Sequence, residues 1–284
     1  NNVQYSSPVQ IPGTNWAQAL YATTSLASKT DGSLWAWGFN GYGQLGQNST
    51  TSYSSPIQIP GTWGITSLGK LAGTNQYAAA IKSDGTLWTI GRNAYGMIAD
   101  NSETSRSSPI QVPGTTWSQV SSGSYATAAI KTDGTLWMWG DGDDGGLGQN
   151  NRTSRSSPVQ IPGTTWSEVQ SLGLFTQAIK TDGTLWSWGW GLRGVHANNL
   201  SGDAAKRSSP VQIPGTTWSK LALRPYGAGA IKTDGTLWLW GYQSHGQLGQ
   251  NQGASPEYSS PVQVPGTWLS YQMTSTGGFG FQQG

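Results

Sequence analysis

Residues 117–163 read WSQVSSGSYATAAIKTDGTLWMWGDGDDGGLGQNNRTSRSSPVQIPG, and the fold follows from this stretch. Trp117 to Ser122 is a short mixed strand, here called A, and Tyr125 to Lys131 is strand B. Thr132-Asp133-Gly134 is a tight hairpin turn, because glycine at its end accepts the positive φ such turns demand. Thr135 to Gly140 is strand C and Ser157 to Ile161 is strand D. Strand D ends at Pro162-Gly163, an order that suits the central pair of a type II turn. Short strands separated by turn residues, with no helical periodicity between them, define a propeller blade.

The same unit recurs along the chain. Pro-Gly-Thr begins at Pro12, Pro60, Pro113, Pro162, Pro214 and Pro265, with spacings of 48, 53, 49, 52 and 51. Asp-Gly-(Thr/Ser)-Leu-Trp begins at Asp31, Asp84, Asp133, Asp182 and Asp234, with spacings of 53, 49, 49 and 52. Two independent phrases that keep one period are the mark of a repeat architecture. The units run 16–61, 63–114, 117–163, 166–215 and 218–266, with partial units at 1–13 and 268–284, all in one domain.

Within Leu136-Trp137-Met138-Trp139, alternation sends both indoles to one side of the sheet and Leu136 with Met138 to the other. Both sides are apolar, as expected of a sheet held between two neighbours. Of the 16 Trp, the repeat accounts for all but Trp190. Trp35, Trp88, Trp137, Trp186 and Trp238 come first in strand C, and Trp37, Trp139, Trp188 and Trp240 come second, with Ile90 in the remaining blade. Trp16, Trp63, Trp117, Trp166, Trp218 and Trp268 follow the Pro-Gly-Thr turn. All of these are expected in the core.

The 284 residues include 41 Gly, 14 Pro and no Cys, and only 10% are charged. Such a chain has apolar surface enough to offset ordering, so it is not disordered. A formal net charge of +2, dispersed along the chain, excludes a surface that tracks phosphates, and no nucleic-acid partner is expected. Without Cys there is neither a disulfide scaffold nor a thiolate metal site. No apolar run approaches the roughly 18 residues of a membrane helix, so no membrane insertion is expected. The sequence begins at Asn1 rather than Met, as a processed chain or part of a longer one would.

Leu34-Trp35-Ala36-Trp37-Gly38 followed by Phe39-Asn40-Gly41-Tyr42-Gly43-Gln44-Leu45-Gly46, a pattern that returns at Leu237 to Gly249, resembles the regulator of chromosome condensation repeat family over nearly the whole chain. The resemblance implies four-stranded antiparallel blades closed into a ring by pairing of the chain ends, usually with seven blades. The His common in that family's strand B region is absent, and Tyr77, Tyr125, Phe175 and Tyr226 lie nearby. The expected architecture is an all-β propeller of six blades. The last is incomplete, with strands A and B from the tail after Trp268 and strand D from Ser7 to Ile11.

Antiparallel connectivity puts the B–C and D–A turns on one side of the ring and the A–B and C–D loops on the other. The turn side is monotonous: Lys29, Lys82, Lys131, Lys180 and Lys232 each precede an Asp by two residues, and it reads as structural. On the loop side the repeats diverge. Aligned on Gly43, Gly96, Gly145, Gly194 and Gly246, one column holds Phe39, Arg92, Asp141, Trp190 and Tyr242. Another holds Tyr42, Tyr95, Asp144, Arg193 and His245. A rigid frame with differing aromatic and charged tips is the composition of a recognition surface; drift in unconstrained loops is the plainer alternative. The residues expected to bind are Phe39, Tyr42, Arg92, Tyr95, Trp190, Arg193, Tyr242 and His245.

No catalytic residue, cofactor or metal is expected. Asp141-Gly142-Asp143-Asp144-Gly145-Gly146 resembles a calcium loop but lacks the later bidentate Glu, and His196 and His245 have no ligand spacing. The leading function is a non-catalytic binding or adhesion module for a protein or a glycan, set outside the cell or on a virus particle. A protein ligand accords with the family resemblance, since that family includes a bacterial inhibitor of β-lactamases and a chromatin-associated exchange factor. The alternatives are a guanine-nucleotide exchange factor, then a glycan-cleaving enzyme using Asp141 and Asp144 with Arg92 and Arg193. A structural subunit of a larger assembly is the last.

Overall fold

Wherever the sequence carries the full A–B–C–D pattern, an antiparallel sheet forms. The computed structural model describes residues 9–20, 24–65, 70–172, 175–200, 202–242, 248–249, 257–273 and 278–282. The first blade is β1 (Trp16–Leu20), β2 (Thr24–Lys29), β3 (Leu34–Gly38) and β4 (Tyr53–Gln58). The second is β5 (Leu71–Gly73), β6 (Tyr77–Ile81), β7 (Leu87–Gly91) and β8 (Arg106–Gln111). The third is β9 (Trp117–Ser122), β10 (Ala126–Lys131), β11 (Leu136–Gly140) and β12 (Arg155–Ile161). The fourth is β13 (Trp166–Leu172), β14 (Phe175–Lys180), β15 (Leu185–Gly189) and β16 (Arg207–Ile213). The fifth sheet joins β17 (Trp218–Arg224), β18 (Gly227–Lys232), β19 (Thr236–Tyr242), β20 (Glu257–Met273) and β21 (Gly278–Gln282).

The hairpin chemistry read from the sequence sets the register. Gly134 sits at φ +77°, its N–H donates to Lys131 O at 3.0 Å, and β10 pairs with β11 from Ile130↔Leu136 to Ala126↔Gly140. Asp133 closes the turn, its carboxylate accepting from the Thr135 N–H at 2.9 Å and hydroxyl at 2.7 Å. That hydroxyl in turn accepts the Trp137 indole N–H at 2.9 Å. The Lys131 ammonium lies over the rings of Trp117 and Trp137, 4.8 and 4.5 Å from their centroids. The Lys–Trp contacts and the Asp turn recur in every blade. The monotonous face is therefore occupied with its own structure. The first Trp of strand C belongs to this half-buried stack and not, as expected, to the core.

The core lies between sheets. Leu136 and Met138 face the fourth blade, against Trp166 and Trp188; Trp139 faces the second, beside Ile81, Leu87 and Val112. Trp139, Trp188 and Trp240 are fully buried. Each donates its indole N–H to a carbonyl in the C–D loop of the blade before it: Met97 at 2.8 Å, Gly146 at 3.0 Å and Val195 at 2.9 Å. Next to the axis, side chains of one strand A bond the backbone of the next. Gln119 accepts from Val169 N at 3.0 Å, and Glu168 accepts from Leu221 N at 3.0 Å.

Five complete blades form, not six. The tail after Trp268 carries no Asp-Gly-x-Leu-Trp phrase, and among the described residues no strand C joins its two strands to an N-terminal strand D. Instead β20 runs unbroken from the fifth blade's strand D into the tail and pairs with β21 from Trp268↔Gln282 to Met273↔Gly278. Of the expected strand from Ser7 to Ile11, Ser7 and Pro8 lie outside the described residues and Val9 to Ile11 form no strand.

Trp139→Ala is expected to cost about 3–5 kcal/mol, as deletion of a large buried aromatic does, and Trp137→Ala clearly less. Urea unfolding of both variants checks this ordering.

Candidate functional site

The A–B and C–D loops meet on one side because the C–D loop of each blade is pinned to strand D of the next. Gly43, Gly96 and Gly145 have φ between +75° and +80°. A Cβ at these positions would lie within 2.4–2.6 Å of Ser107, Ser156 and Ser208 backbone atoms. The Asn48, Asn101 and Asn150 N–H groups then donate to those same serines' carbonyls at 2.7, 2.9 and 2.6 Å. Glycine is required there for close approach.

This geometry brings the expected residues into contact, in several cases across blade boundaries. Phe39 and Tyr42 are exposed and meet edge to face at 6.1 Å. The Arg92 guanidinium of the next blade lies 5.3 Å from the Tyr42 ring and donates to Gln76 Oε1 at 2.7 Å. Tyr95 packs on Tyr125 of the third blade at 5.6 Å. Arg193 lies over Tyr242 at 4.4 Å and pairs with Glu257 at 2.8 Å. Trp190 stands edge-on to Tyr226 of the fifth blade, 6.1 Å between centroids. His245 lies outside the described residues.

Between the A–B loops of the second to fifth blades a cleft of about 370 Å³ opens. Trp190, Tyr226, Tyr125, Phe175 and Leu172 form its apolar walls, and Thr74, Asn75, Ser122 and Ser124 line its polar part. Of the expected residues that are described, only Trp190 lines it. Alignment of the C–D loops alone missed Tyr125, Phe175 and Tyr226, although these are the residues standing near the position of the family's histidine. Tyr226 holds φ +63° and is 45% exposed. A bulky residue in that backbone region is strained, and strain of this kind clusters at ligand-binding positions.

The acidic loop is internally engaged. Asp141 accepts from Asp143 N at 2.9 Å, its carboxyl raised above the usual range by burial, and Asp144 pairs with Lys206 at 2.6 Å. Among the described residues no group of three His, Cys, Asp or Glu side chains could hold a metal. His196 is buried; its Nε2 lies 3.0 Å from Gly189 O and its Nδ1 2.6 Å from Ser187 Oγ. Burial lowers its pKa to about 4, so it is a neutral structural group. Glu168 stands where the preceding blade has Gln119, and burial raises its carboxyl to about 7.

Family models for the regulator of chromosome condensation (RCC1) repeat match residues 31–67, 84–130 and 133–171, and a second such model matches 117–145. Among solved structures, human WBSCR16 has a TM-score of 0.74 at 20% identity, covering 88% of this chain and 67% of that one. Prp20p from Saccharomyces cerevisiae reaches 0.77 at 18% identity, covering 88% and 66%. The yeast protein in complex with Kap60 gives 0.74 at 18% identity, covering 88% and 64%. The chain thus spans about two thirds of the length of these proteins, and identity at this level carries the fold alone. No curated protein sequence matches it.

His196 and Glu168 have opposite linkage. The neutral His196 loses stability as the pH falls from about 6.5 towards 4, because the unfolded state takes up the proton first. Glu168, with its folded pKa raised, contributes stability below about 4.5 that is lost as the pH rises through about 7. Glu168→Gln keeps an acceptor for Leu221 N without the charge. It is expected to raise stability at pH 8 by up to about 3 kcal/mol and to change little at pH 4, as urea unfolding at both pH values measures.

Proposed function

We propose that this chain, three stretches of which match the regulator of chromosome condensation repeat, is a non-catalytic module that binds a protein partner on its A–B and C–D loop face. The observation that carries this reading is the cleft walled by Trp190, Tyr226, Tyr125 and Phe175. Clefts of a few hundred Å³ with aromatic walls and a few polar groups are where ligands seat, and Trp, Tyr and Arg dominate binding hot spots. The flanking Arg92–Tyr42 and Arg193–Tyr242 pairs add a rim of held charge beside the aromatic centre.

A protein partner is favoured over a glycan by likeness of fold. Prp20p binds Gsp1p and histones, and a structure holds it with Kap60. The exchange-factor reading has less support, since the formal net charge is only +2. Glycan cleavage by Asp141 and Asp144 is disfavoured because Lys206 already holds Asp144. An adhesive role outside the cell or on a virus particle belongs to this proposal; its support is the 10% charged composition and the abundance of Asn, Gln, Ser, Thr and Gly.

The test is selection of binders from a displayed peptide library and from a glycan array, followed by titration against variants. Trp190→Ala and Tyr226→Ala are each expected to weaken the selected peptides tenfold or more, about 1.4 kcal/mol, with Asp133→Asn on the turn face unchanged. Peptides that lose affinity only with Asp133→Asn would sink the reading, and glycans as the sole ligands would replace the protein partner.

A further inference from the structure

Among the described residues, no Asp, Glu, Lys, Arg or His side chain lines the cleft between the A–B loops. Arg193 lies in sequence between the lining residues Leu192 and Val195, but it is held by Glu257 at 2.8 Å. A charged group entering such a cleft would lose its water and meet no counter-charge, which is costly. The part of an occupant that enters is therefore neutral.

The hydrogen-bonding groups of the walls sort into engaged acceptors and free donors. Tyr125 O accepts from Asp141 N and Tyr226 O from Tyr242 N, each at 2.8 Å. Gly123 O accepts the Tyr77 hydroxyl at 2.9 Å, and Asn75 O accepts from Gln44 Nε2 at 3.1 Å. Backbone donors are engaged too, since the Thr74 and Gly123 N–H groups close their own loops on Tyr77 O and Ala126 O. A partner strand finds no row of open main-chain groups to pair with here. What remains without a partner among the described residues is a set of side-chain donors: the Trp190 indole N–H and the hydroxyls of Tyr125, Tyr226 and Ser124.

The rings set the shape. Trp190 and Tyr226 stand at 70° to each other with centroids 6.1 Å apart, and two rings so placed form a notch for a compact apolar ring. An occupant that offers carbonyl acceptors, few N–H donors, no charge and a compact ring is a run of proline, because each Pro keeps its C=O and lacks the N–H. In the polyproline II form those carbonyls carry no internal hydrogen bonds, and the fixed φ leaves less freedom to lose on binding. A sugar differs, since each hydroxyl brings a donor that needs an acceptor, and the carbonyls named above are already engaged.

On the reading that this cleft binds protein, we infer that the partner presents to it an uncharged, proline-rich segment in the polyproline II form. A pyrrolidine ring of the segment seats between Trp190 and Tyr226, and its carbonyls accept hydrogen bonds from the free indole and phenol groups. Selectivity then comes from two properties of the walls together, the lack of charge and the surplus of donors.

The experiment is a fluorescence-anisotropy titration of the 284-residue chain with labelled decaproline, a Gly-Ser peptide of equal length and a peptide alternating Pro with Glu. Decaproline is expected to bind, and the other two to bind at least about tenfold more weakly. Trp190→Ala is expected to weaken decaproline about tenfold or more. Trp190→Phe and Tyr226→Phe keep a ring and remove only the donor, so each is expected to cost about three- to tenfold, with Asp133→Asn unchanged. Far-UV circular dichroism checks the fold of each variant, and the two Phe variants carry the test if Trp190→Ala fails to fold. Decaproline that does not bind, that binds no better than the Gly-Ser peptide, or that is indifferent to both Phe variants overturns the inference. If peptides without proline, selected from a displayed library, then lose affinity with the Trp190 variants, the protein-binding reading of the cleft stands while its proline preference falls. If no peptide of either kind responds to Trp190 or Tyr226, both fall.

Discussion

The hydrogen bond from a buried indole to the loop carbonyl of the preceding blade is the interaction on which both the stacking of the blades and the arrangement of the loop face depend. Trp139, Trp188 and Trp240 each bury a large aromatic surface, and a buried N–H must find a partner. The partners are Met97, Gly146 and Val195, which follow or closely trail the glycine that presses each C–D loop onto the next blade. Core packing therefore fixes the loops that carry the variable tips. Where Ile90 replaces the Trp, the donor is missing, and a different bond crosses the same boundary: Gln44 Nε2 donates to Asn75 O at 3.1 Å.

The turn side and the loop side of the blades diverge for a physical reason. On the turn side, Asp, Thr, Trp and Lys of each blade satisfy one another within the repeat, so the same residues suffice everywhere. On the loop side, contacts also cross between blades: Arg92, bonded to Gln76 of its own blade, reaches Tyr42 of the blade before, Arg193 meets Glu257 and Tyr242 of the blade after, and Trp190 meets Tyr226. Each pair joins residues from different positions of the repeat, which lets the tips differ from blade to blade while remaining held. Preorganised aromatic and Arg groups of this kind lose less freedom on binding than mobile tips would. At the acidic loop a charge is also committed, since Asp144 faces Lys206.

The repeat period, the four-strand unit, the Asp-Gly turn and the sorting of turns from loops were legible in the residues themselves. Each depends on local chemistry: alternation along a strand, positive φ at a glycine, a carboxylate reaching two residues on. The separation of Leu136 and Met138 from Trp137 and Trp139 was legible for the same reason. What the sequence alone left open was everything that depends on which blade meets which. Only the tertiary structure decided that Tyr125, Phe175 and Tyr226 share a cleft with Trp190, since they come from A–B loops of three blades. It decided too that the first Trp of strand C lies in a half-buried stack under Lys, and that five complete blades form, with a two-stranded tail. Strand count per repeat is a local property of the chain, whereas the packing of blade on blade and pocket formation depend on contacts between residues some fifty or more positions apart, which no local pattern encodes.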